Sequence, residues 1–441
     1  MLAEAVDRFD RRAGQTEILA AIPEIGPAPG NTFRVTKHPS LGSDSEAVAL
    51  ICNHYHQTRR CLSTLVSYAW KEPHAGRKYR AGVSLHSHTS ESRENLIFLD
   101  DIGRRMPLLG AFIRWQRRRA GRAGYHVDWS RGYWTPPLTP CLALELERRQ
   151  IEQELQLEAM VSLTDHDTIA APLMLNSLQS GQAVPVSCEW TVPFKDIAFH
   201  LGVHNLPEAA APEIMRQLAS YTAAPTSEAL ADLFSMLHSL ADVLLVFNHP
   251  MWNLYRADEG RFTGVVGDFL RLHGEFIHAV ELNGLRGWAE NCAVARLAAT
   301  WHKPMIAGGD RHGCEPNANL NLTNAECFAE FVREIRLARS SHVLFMPQYR
   351  QDQRLRCFRT FVDIVRHAPE LPPGMQRWDQ RVFHPGTDGE DCPLAAFWER
   401  PPAFLGKSFA AICWMESTAA GRKILSTSSR RAQLTPIESA S

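Results

Sequence analysis

Between about residue 80 and residue 346, short apolar runs alternate with longer segments of helical periodicity. This alternation is typical of β/α units, in which each strand is followed by a helix that covers the sheet. The predicted strands are 82–86, 160–164, 184–188, 197–203, 243–247, 277–282, 304–308 and 342–346. The predicted helices are 144–158, 212–221, 227–240, 286–301 and 325–338. The pattern indicates an α/β domain with a mainly parallel sheet or a barrel.

The first predicted strand ends in two histidines, His86 and His88. In a strand, side chains two residues apart share a face, so both imidazoles can bind one ion. A second pair with this spacing, His54 and His56, falls in a predicted helix, where residues two apart diverge by roughly 200°. We therefore expect a metal site at the first pair and ordinary surface or packing histidines at the second.

Ligand-type side chains also accompany the later predicted strands. They are Asp165, His166, Glu189, His200, His249, Glu281, Asn283, Asp310 and His312. If these strands end at one rim of a barrel, the side chains meet there. Nitrogen and oxygen donors without thiolates suit Zn, Mn or Fe, and they outnumber the roughly four to six ligands that one ion takes. The sequence thus predicts two or three divalent ions.

Some residues near this rim have structural interpretations as well. His200 lies inside an apolar run, where a histidine is often a hydrogen-bonded core residue, and His204 lies close behind it. His278 is expected to pack within its strand. Glu281 and Asn283 are expected to orient ligand imidazoles rather than to bind an ion themselves.

Composition narrows the class of protein. A chain of 441 residues can bury a large core. Its 10 cysteines include no C-x-x-C pair, which argues against a zinc ribbon or a redox pair and fits a reducing cytoplasm. A net charge of -1 gives no overall reason to expect nucleic-acid or membrane binding, and the chain shows neither a signal-peptide pattern nor a run of about 18 apolar residues. We expect a cytoplasmic protein without a membrane partner.

Three segments lie outside the alternating pattern. Residues 1–79 read as an N-terminal extension with a long helix, from a capping box at Ser43 to about Trp70. Residues 351–441 read as an irregular, proline-rich C-terminal extension whose end we expect to be disordered. An insertion at 100–143 follows the first strand and combines an arginine cluster with aromatic residues. Such an insertion can bind nucleic acid, but a solvated helix face beside a packed aromatic loop is the favoured interpretation, because arginine-rich surface helices are common.

The order of these motifs resembles the PHP (polymerase and histidinol phosphatase) superfamily of metal-dependent phosphoesterases. The motifs that carry the resemblance are His86-Ser-His88, Leu163-Thr-Asp-His166, Glu189, His200, Asn248-His249-Pro250 and Gly309-Asp-Arg-His312. They span about residues 80–345, within the 80–350 barrel domain that we predict. The resemblance implies an α/β fold with a distorted (β/α)7-type barrel.

The resemblance also implies a ligand set. His86, His88, Glu189 and Asp310 would hold the first ion; Glu189 would bridge to a second held by His200 and His249; His166 and His312 would belong to a third. The sequence departs from the family after the first motif, where an aspartate or histidine in a Ser-Asp-Gly-like turn is usual. Glu94, or less readily Glu91, is expected to supply the missing oxygen ligand.

The function that follows is hydrolysis of a phosphoester by a hydroxide that bridges two metal ions, without a side-chain nucleophile. Arg311 is a candidate phosphate clamp, although pairing with a carboxylate is an equal alternative. Asp165 is expected to orient His166 or to accept the leaving-group proton. The expected substrate is a phosphorylated small molecule or nucleotide. A 5′-3′ exonuclease and a catalytically silent, metal-stabilised module for protein assembly remain the alternatives.

Overall fold

The computed structural model describes residues 63–96, 131–178, 183–254, 257–351, 353–385 and 390–397, together with single residues between 111 and 122 and between 407 and 418. The strands are β1 (Ser63–Tyr68), β2 (Ala81–Ser84), β3 (Glu94–Asn95), β4 (Tyr133–Trp134), β5 (Glu158–Val161), β6 (Val186–Phe194), β7 (Ile197–Leu206), β8 (Leu244–Phe247), β9 (Ala279–Asn283), β10 (Met305–Gly308), β11 (Asn319–Thr323), β12 (Ser340–Phe345), β13 (Val382–Pro385) and β14 (Asp391–Pro393).

The α-helices of the described residues cover both large sheets. They are α1 (Pro140–Arg149), α2 (Ala170–Leu178), α3 (Ala211–Ala223), α4 (Ser227–Ser239), α5 (Glu259–His273), α6 (Trp288–Thr300), α7 (Phe328–Arg333) and α8 (Gln353–Val365). Turns of π-helix prolong α1 and α7, over Gln150–Leu155 and Glu334–Ala338. Side-chain caps fix two of the helix starts, because Thr226 accepts the Ala229 N–H at 3.2 Å and Asp258 accepts the Arg261 N–H at 3.0 Å.

The strands form three sheets. Their orders are β1-β12-β11-β2-β5, β10-β9-β8-β7-β6 and β14-β13-β4-β3. Parallel pairs, such as β2 with β5 and β9 with β10, stand beside antiparallel pairs, such as β6 with β7 and β2 with β11. The protein is therefore mixed α/β rather than mainly parallel, and no sheet closes into a barrel within the described residues.

The core supports the ends of the second sheet. Aromatic side chains of β6 to β8 pack against α4 and α5, with Trp190, Phe234 and Phe269 fully buried. Phe199 and Phe247 lie in the same cluster, with ring centroids 5.1 Å apart. Burial of such rings is a large part of the apolar area that stabilises a domain, so these strand ends have a rigid base.

All eight predicted strands are present, displaced by a few residues at most except where β6 and β7 run longer. The five predicted helices are present as well, whereas α2, α5, α8 and strand β11 were not predicted. The helix predicted from Ser43 to Trp70 is wrong over its described part, because Ser63–Tyr68 is strand β1. Parallel pairing of all six β1 residues with β12 overrides the local helical pattern.

The extensions contribute strands to the fold. Strand β1 belongs to the first sheet, which thus begins before the predicted domain boundary at residue 79, and β13 and β14 come from the predicted C-terminal extension. His54, His56 and most of the 100–143 insertion lie outside the described residues. Among the described helices, none has the length and apolar character needed to cross a membrane.

Candidate metal centre

The structure brings the nine predicted ligands together at one place. They are His86, His88, Glu94, His166, Glu189, His200, His249, Asp310 and His312, and each contacts at least one other member of the set within 4 Å. Most of them lie at or just after strand ends of the two large sheets, whereas Glu94 lies on the small third sheet. That they bind metal stays a prediction, but their convergence is a property of the fold.

Glu189 lies at the centre, and its Oε2 faces three imidazoles. The Nε2 atoms of His86, His88 and His166 lie 3.1, 3.4 and 3.3 Å from this oxygen. The strand that carries Glu189 is tied to the end of β5, because the Glu189 N–H donates to the carbonyl of Asp165 at 3.1 Å. The side chain is fully buried, so its charge has to be balanced locally.

The other carboxylate oxygen of Glu189 faces a separate set of donors. Oε1 lies 3.1 Å from His249 Nε2 and 3.6 Å from His200 Nδ1, and it accepts a hydrogen bond from Asn248 Nδ2 at 2.9 Å. A carboxylate whose two oxygens address different histidines is suited to bridge two ions.

His86 and His88 share a face, as their spacing predicts. Their Nε2 atoms lie 3.0 Å apart, and both point at Glu189. The backbone holds the pair in place, because the His88 N–H donates to the carbonyl of Arg311 at 2.8 Å. Two imidazole nitrogens and a carboxylate oxygen at one point provide the lone pairs that a divalent ion takes up.

Glu94, not Glu91, supplies the additional carboxylate. Its Oε1 lies 3.3 Å from His88 Nδ1, and its Oε2 lies 3.3 Å from His166 Nε2 and 3.2 Å from His312 Nε2. The Ser92 hydroxyl donates to Glu94 Oε1 at 2.6 Å and fixes its orientation. The side chain of Glu91 is exposed at the surface.

Asp310 completes the set from the end of β10. Its Oδ1 lies 3.7 Å from the Nε2 atoms of both His86 and His88, and 3.6 Å from His312 Nδ1. Asp310 has φ 53° and His249 has φ 28°, a region that residues other than glycine rarely adopt. Two strained backbone positions within one cluster are typical of a functional site.

Three subsets of these residues have ligand atoms within 4.8 Å of one another. We call them the His86 group (His86, His88 and Glu189), the Glu94 group (His88, Glu94 and His312) and the Glu189 group (His166, Glu189 and His200). The grouping differs from the ligand set that the resemblance implies. His166 lies with Glu189 and His200, although its Nε2 is also 3.3 Å from the Glu94 Oε2 that His312 contacts, and His88 belongs to two groups.

Burial and mutual charge set the electrostatics of the centre. Burial acts to raise the pKa of Glu189, but the surrounding histidines, His86 first, hold that pKa well below its usual value. Burial also acts to raise the pKa of Glu94, but His166 and His312 outweigh this effect and hold that pKa well below its usual value. Burial acts to lower the pKa of His166, but Glu94 and Glu189 raise it to about 10. The centre is therefore a set of ionised carboxylates among imidazoles.

The donor set passes a test of fit for a metal ion. His200 Nδ1 is buried without a hydrogen-bond partner, and it faces Glu189 Oε1 at 3.6 Å, too far for a hydrogen bond. A buried nitrogen without a partner is unfavourable unless something coordinates it. A divalent ion between His200 and Glu189 would satisfy both atoms.

Glu281 and Asn283 have the orienting role that the sequence predicts. Glu281 Oε1 lies 2.6 Å from His86 Nδ1, and its Oε2 accepts the backbone N–H of His249 at 2.8 Å. Asn283 Nδ2 donates to Glu281 at 2.9 Å and to Asp310 Oδ2 at 3.2 Å. Gly308 makes room for this network, since a Cβ there would lie 1.6 Å from Glu281 Oε1.

The two predicted catalytic residues lie behind the centre. Asp165 Oδ1 accepts the Thr89 N–H at 2.5 Å and its Oδ2 accepts the Thr89 hydroxyl at 2.7 Å, so the carboxylate anchors the turn after His88. Burial raises its pKa to about 7. Both oxygens bind Thr89 rather than His166, so the contacts do not support the orienting role, and the role of Asp165 as a proton acceptor stays a prediction.

Arg311 matches the alternative that the sequence left open. Its Nη1 donates to Glu147 Oε1 at 3.0 Å, its Nε to the carbonyl of Gly313 at 2.8 Å and its Nη2 to the carbonyl of Cys314 at 3.3 Å. Both charged partners are buried. These contacts favour the buried ion pair, and the role of Arg311 as a phosphate clamp stays a prediction without a supporting contact.

Arg286 and Trp252 are the neighbours of the centre that the sequence did not single out. The guanidinium carbon of Arg286 lies 3.7 Å from the Trp252 ring centroid, and that ring lies 5.0 Å from the ring of His249. Arg286 Nη2 lies 3.3 Å from Asp310 Oδ2, while its Nε is buried without a hydrogen-bond partner. The position of Arg286, shortly after the strand that carries Glu281 and Asn283, is the one sequence signal that could have indicated its place beside the centre.

The two other histidines have packing roles. His204 Nδ1 lies 2.8 Å from the Ser162 hydroxyl, and His204 belongs to none of the three groups. His278 Nδ1 accepts the Leu245 N–H at 2.9 Å. Both therefore fit the structural interpretation that the sequence gave them.

Comparison with known proteins gives little support of its own. No protein-family model matches the chain, and no curated protein matches it. The chain is similar to an amidohydrolase from Chromobacterium violaceum with bound sulfate and no metal, at TM-score 0.28 and 13% identity over 52% of this chain and 87% of that one. It is also similar to a protein from Bifidobacterium adolescentis provisionally described as a metal-dependent phosphoesterase, at TM-score 0.26 and 16% identity over 46% of this chain and 92% of that one. At these TM-scores neither likeness supports a conclusion about fold or function.

Proposed function

We propose that the protein is a metal-dependent hydrolase that acts on phosphoesters and holds two or three divalent ions, such as Zn, Mn or Fe. The observation that carries this proposal is the arrangement around Glu189, where each carboxylate oxygen faces its own set of buried histidines. Such a set of nitrogen and oxygen donors suits these cations, and burial in a water-poor site strengthens its electrostatic effect.

The assignment of ligands follows the three groups. We assign one ion to the His86 group with Asp310 beside it, a second to the Glu189 group with His249 beside it, and a third to the Glu94 group. Divalent ions in such a centre lower the pKa of a bound water to near neutrality and neutralise charge on phosphoryl oxygens. The chain has to hold the ligands still, and Glu281 does so for His86 and His249.

Arg286 favours a phosphoryl group as the substrate. Its planar guanidinium is held against Trp252 and lies beside Asp310, with a buried Nε that has no hydrogen-bond partner. A guanidinium can donate two parallel hydrogen bonds to phosphate oxygens, and stacking on an aromatic ring fixes its plane. We assign the clamp role to Arg286 rather than to Arg311, which pairs with Glu147.

A small cleft borders the centre. It lies next to Asp310 and His312 and is lined by Gly284 after β9, Gln348 after β12, and Arg356 and Thr360 of α8. A small phosphomonoester or a nucleotide is the substrate class that we propose. The exonuclease alternative depends on Arg117 to Arg119, of which only Arg118 is described, and no contact favours it.

The test combines metal analysis with turnover. The protein is loaded with Mn or Zn, its ion content is measured, and hydrolysis of p-nitrophenyl phosphate and of short 5′-phosphorylated oligonucleotides is followed. His200→Asn should abolish hydrolysis of the preferred ester, whereas His204→Asn, a buried histidine on the same strand β7, should keep it. Loaded protein that turns over neither substrate would contradict the phosphoesterase proposal and favour the silent module.

A further inference from the structure

Glu94 is the one predicted ligand among the described residues that neither large sheet carries. It lies on β3, which belongs to the sheet β14-β13-β4-β3. Strands β3 and β4 have two residues each, and a two-stranded pair that short is not stable by itself in water. Something beyond β3 and β4 therefore has to hold Glu94 where it is.

The C-terminal extension supplies that support through backbone pairing. Glu94 pairs with Trp134 across β3 and β4, and Trp134 pairs in turn with Val382 of β13. The Thr135 N–H adds a bond to the carbonyl of Arg381 at 2.9 Å. Strand β4 is thus the middle of a ladder whose outer half comes from residues almost 290 positions after Glu94.

Side chains tie the same strands together. The Tyr133 hydroxyl donates to Asp391 Oδ2 on β14 at 2.9 Å, and Arg93 Nη1 lies 3.3 Å from the same oxygen. The Arg93 guanidinium carbon lies 4.8 Å from the Tyr133 ring centroid, and the Tyr133 and Phe383 rings stack at 5.1 Å. The residue next to Glu94 in the chain is therefore linked directly to β14.

The small sheet also places a ring at the centre. The Trp134 indole lies 5.9 Å from the ring of His312, which is a member of the Glu94 group. By contrast, the residues of the Glu189 group are carried by β6, β7 and the turn after β5, although His166 Nε2 of this group also lies 3.3 Å from Glu94 Oε2.

We propose that β13 and β14 are positioning elements of the metal centre: they hold Glu94 in place, so that the ion of the Glu94 group depends on the C-terminal extension and the ion of the Glu189 group does not. The inference rests on the metal binding of the proposed function, but not on its reaction. It implies that a change on β13, almost 290 residues after Glu94 in the chain, removes one ion selectively.

The test counts ions in the full chain. Phe383→Pro places a proline inside β13, where it removes a ladder donor and fixes φ, and should break the pairing with β4. After dialysis, elemental analysis should find one ion fewer per chain than in the wild type. Glu94→Gln should lose the same ion. The double variant should lose no further ion, because both changes act on one site.

A milder variant guards against a general loss of folding. Asp391→Ala removes the partner of Tyr133 and Arg93 and should weaken the affinity for one ion by about 10- to 100-fold, the range for residues that support ligands. Asp196→Ala is the matched control, because it removes a similarly exposed ion pair with Arg261 on the turn between β6 and β7. It should leave every ion affinity unchanged.

Three results would overturn the inference. The first is a folded Phe383→Pro protein that keeps all its ions. If that variant does not fold, the second is an Asp391→Ala protein whose ion affinities equal those of the Asp196→Ala control. A Glu94→Gln protein with the full ion count would refute it as well. Wild-type protein that binds ions but hydrolyses no phosphoester would contradict the proposed function and leave this inference standing.

Discussion

The Glu189 group and the Glu94 group share the same centre but are supported in different ways. The Glu189 group stands on long strands of the second sheet, with β6 and β7 paired over most of their length and a buried aromatic core beneath them. The Glu94 group depends on strands of two to four residues. Stability within one protein is not uniform, and elements with few buried contacts open first. We therefore expect the Glu189 group to stay ordered in conditions where the Glu94 group loses its support from the C-terminal extension.

The largest effect should come from Glu189 itself, because it belongs to both the His86 group and the Glu189 group. Glu189→Gln keeps the size of the side chain but removes the charge that two ions would share. We expect loss of at least one ion and a fall in hydrolysis of at least about 100-fold, the upper range for residues that only support a ligand. Elemental analysis and turnover measure the two effects.

Glu208→Gln is the control for that variant, since Glu208 is an exposed glutamate outside all three groups. Unchanged ion content in Glu189→Gln would remove Glu189 from the centre and with it the comparison between the two groups.

The next largest effect should separate the two arginines near Asp310. Arg311→Met leaves Glu147 as an unpaired buried charge and should lower the free energy of unfolding by about 3–5 kcal/mol. Arg286→Met should leave stability nearly unchanged and reduce kcat/KM by about 10- to 100-fold, as expected for a lost hydrogen bond to a charged group. Denaturant titration and kinetics on p-nitrophenyl phosphate distinguish them. A lower kcat/KM in Arg311→Met but not in Arg286→Met would instead favour Arg311 as the phosphate clamp.

Removal of the ions should show how much of the fold each group stabilises. A ligand that binds only the folded state adds about 2.7 kcal/mol at a concentration 100 times its Kd. Chelation should therefore lower the Tm of the wild type, and it should lower the Tm of Phe383→Pro by less, because that variant has already lost one ion. Equal decreases in Tm for the two proteins would mean that the Glu94 group does not bind an ion of its own.

The sequence predicts the centre better than its surroundings. His86, Glu189, His249 and Asp310 each lie at or just after a strand, and the period of a strand alone places both histidines of the first pair on one face. Strand ends are local features, so pattern reasoning finds them. Pairing between distant residues decides which sheet each strand joins. For that reason the sequence predicts neither the mixed sheets nor the strand at Ser63–Tyr68.

The predicted roles that the contacts do not support have a related cause. Asp165 and Arg311 adjoin ligands in the chain, but neighbours in a strand end point in opposite directions, so each faces the protein interior. Arg286 and Trp252 are distant from most ligands in the chain and meet the centre only through the fold. Strands β13 and β14 lie in a proline-rich segment whose composition gives no strand signal, so their role for Glu94 is visible only in the structure.

The smallest effect concerns acid, and it tests the support of the Glu189 group. His278 accepts the Leu245 N–H across β8 and β9, and its other nitrogen lies 3.1 Å from His238. Burial first, then the positive charges of Arg336, His238 and Lys303, lower its pKa to about 2. The unfolded chain takes up this proton below about pH 6.5 and the folded chain does not, so stability present above that pH is lost as the pH falls towards 2. Between pH 7 and pH 5 His278 should account for about 2 kcal/mol of the decrease. Denaturant titrations at the two pH values, on chelated protein, should show a decrease smaller by that amount in His278→Asn. The control His302→Asn changes an exposed histidine outside the three groups and should behave like the wild type. Equal decreases in all three proteins would show that His278 is not held neutral between these strands.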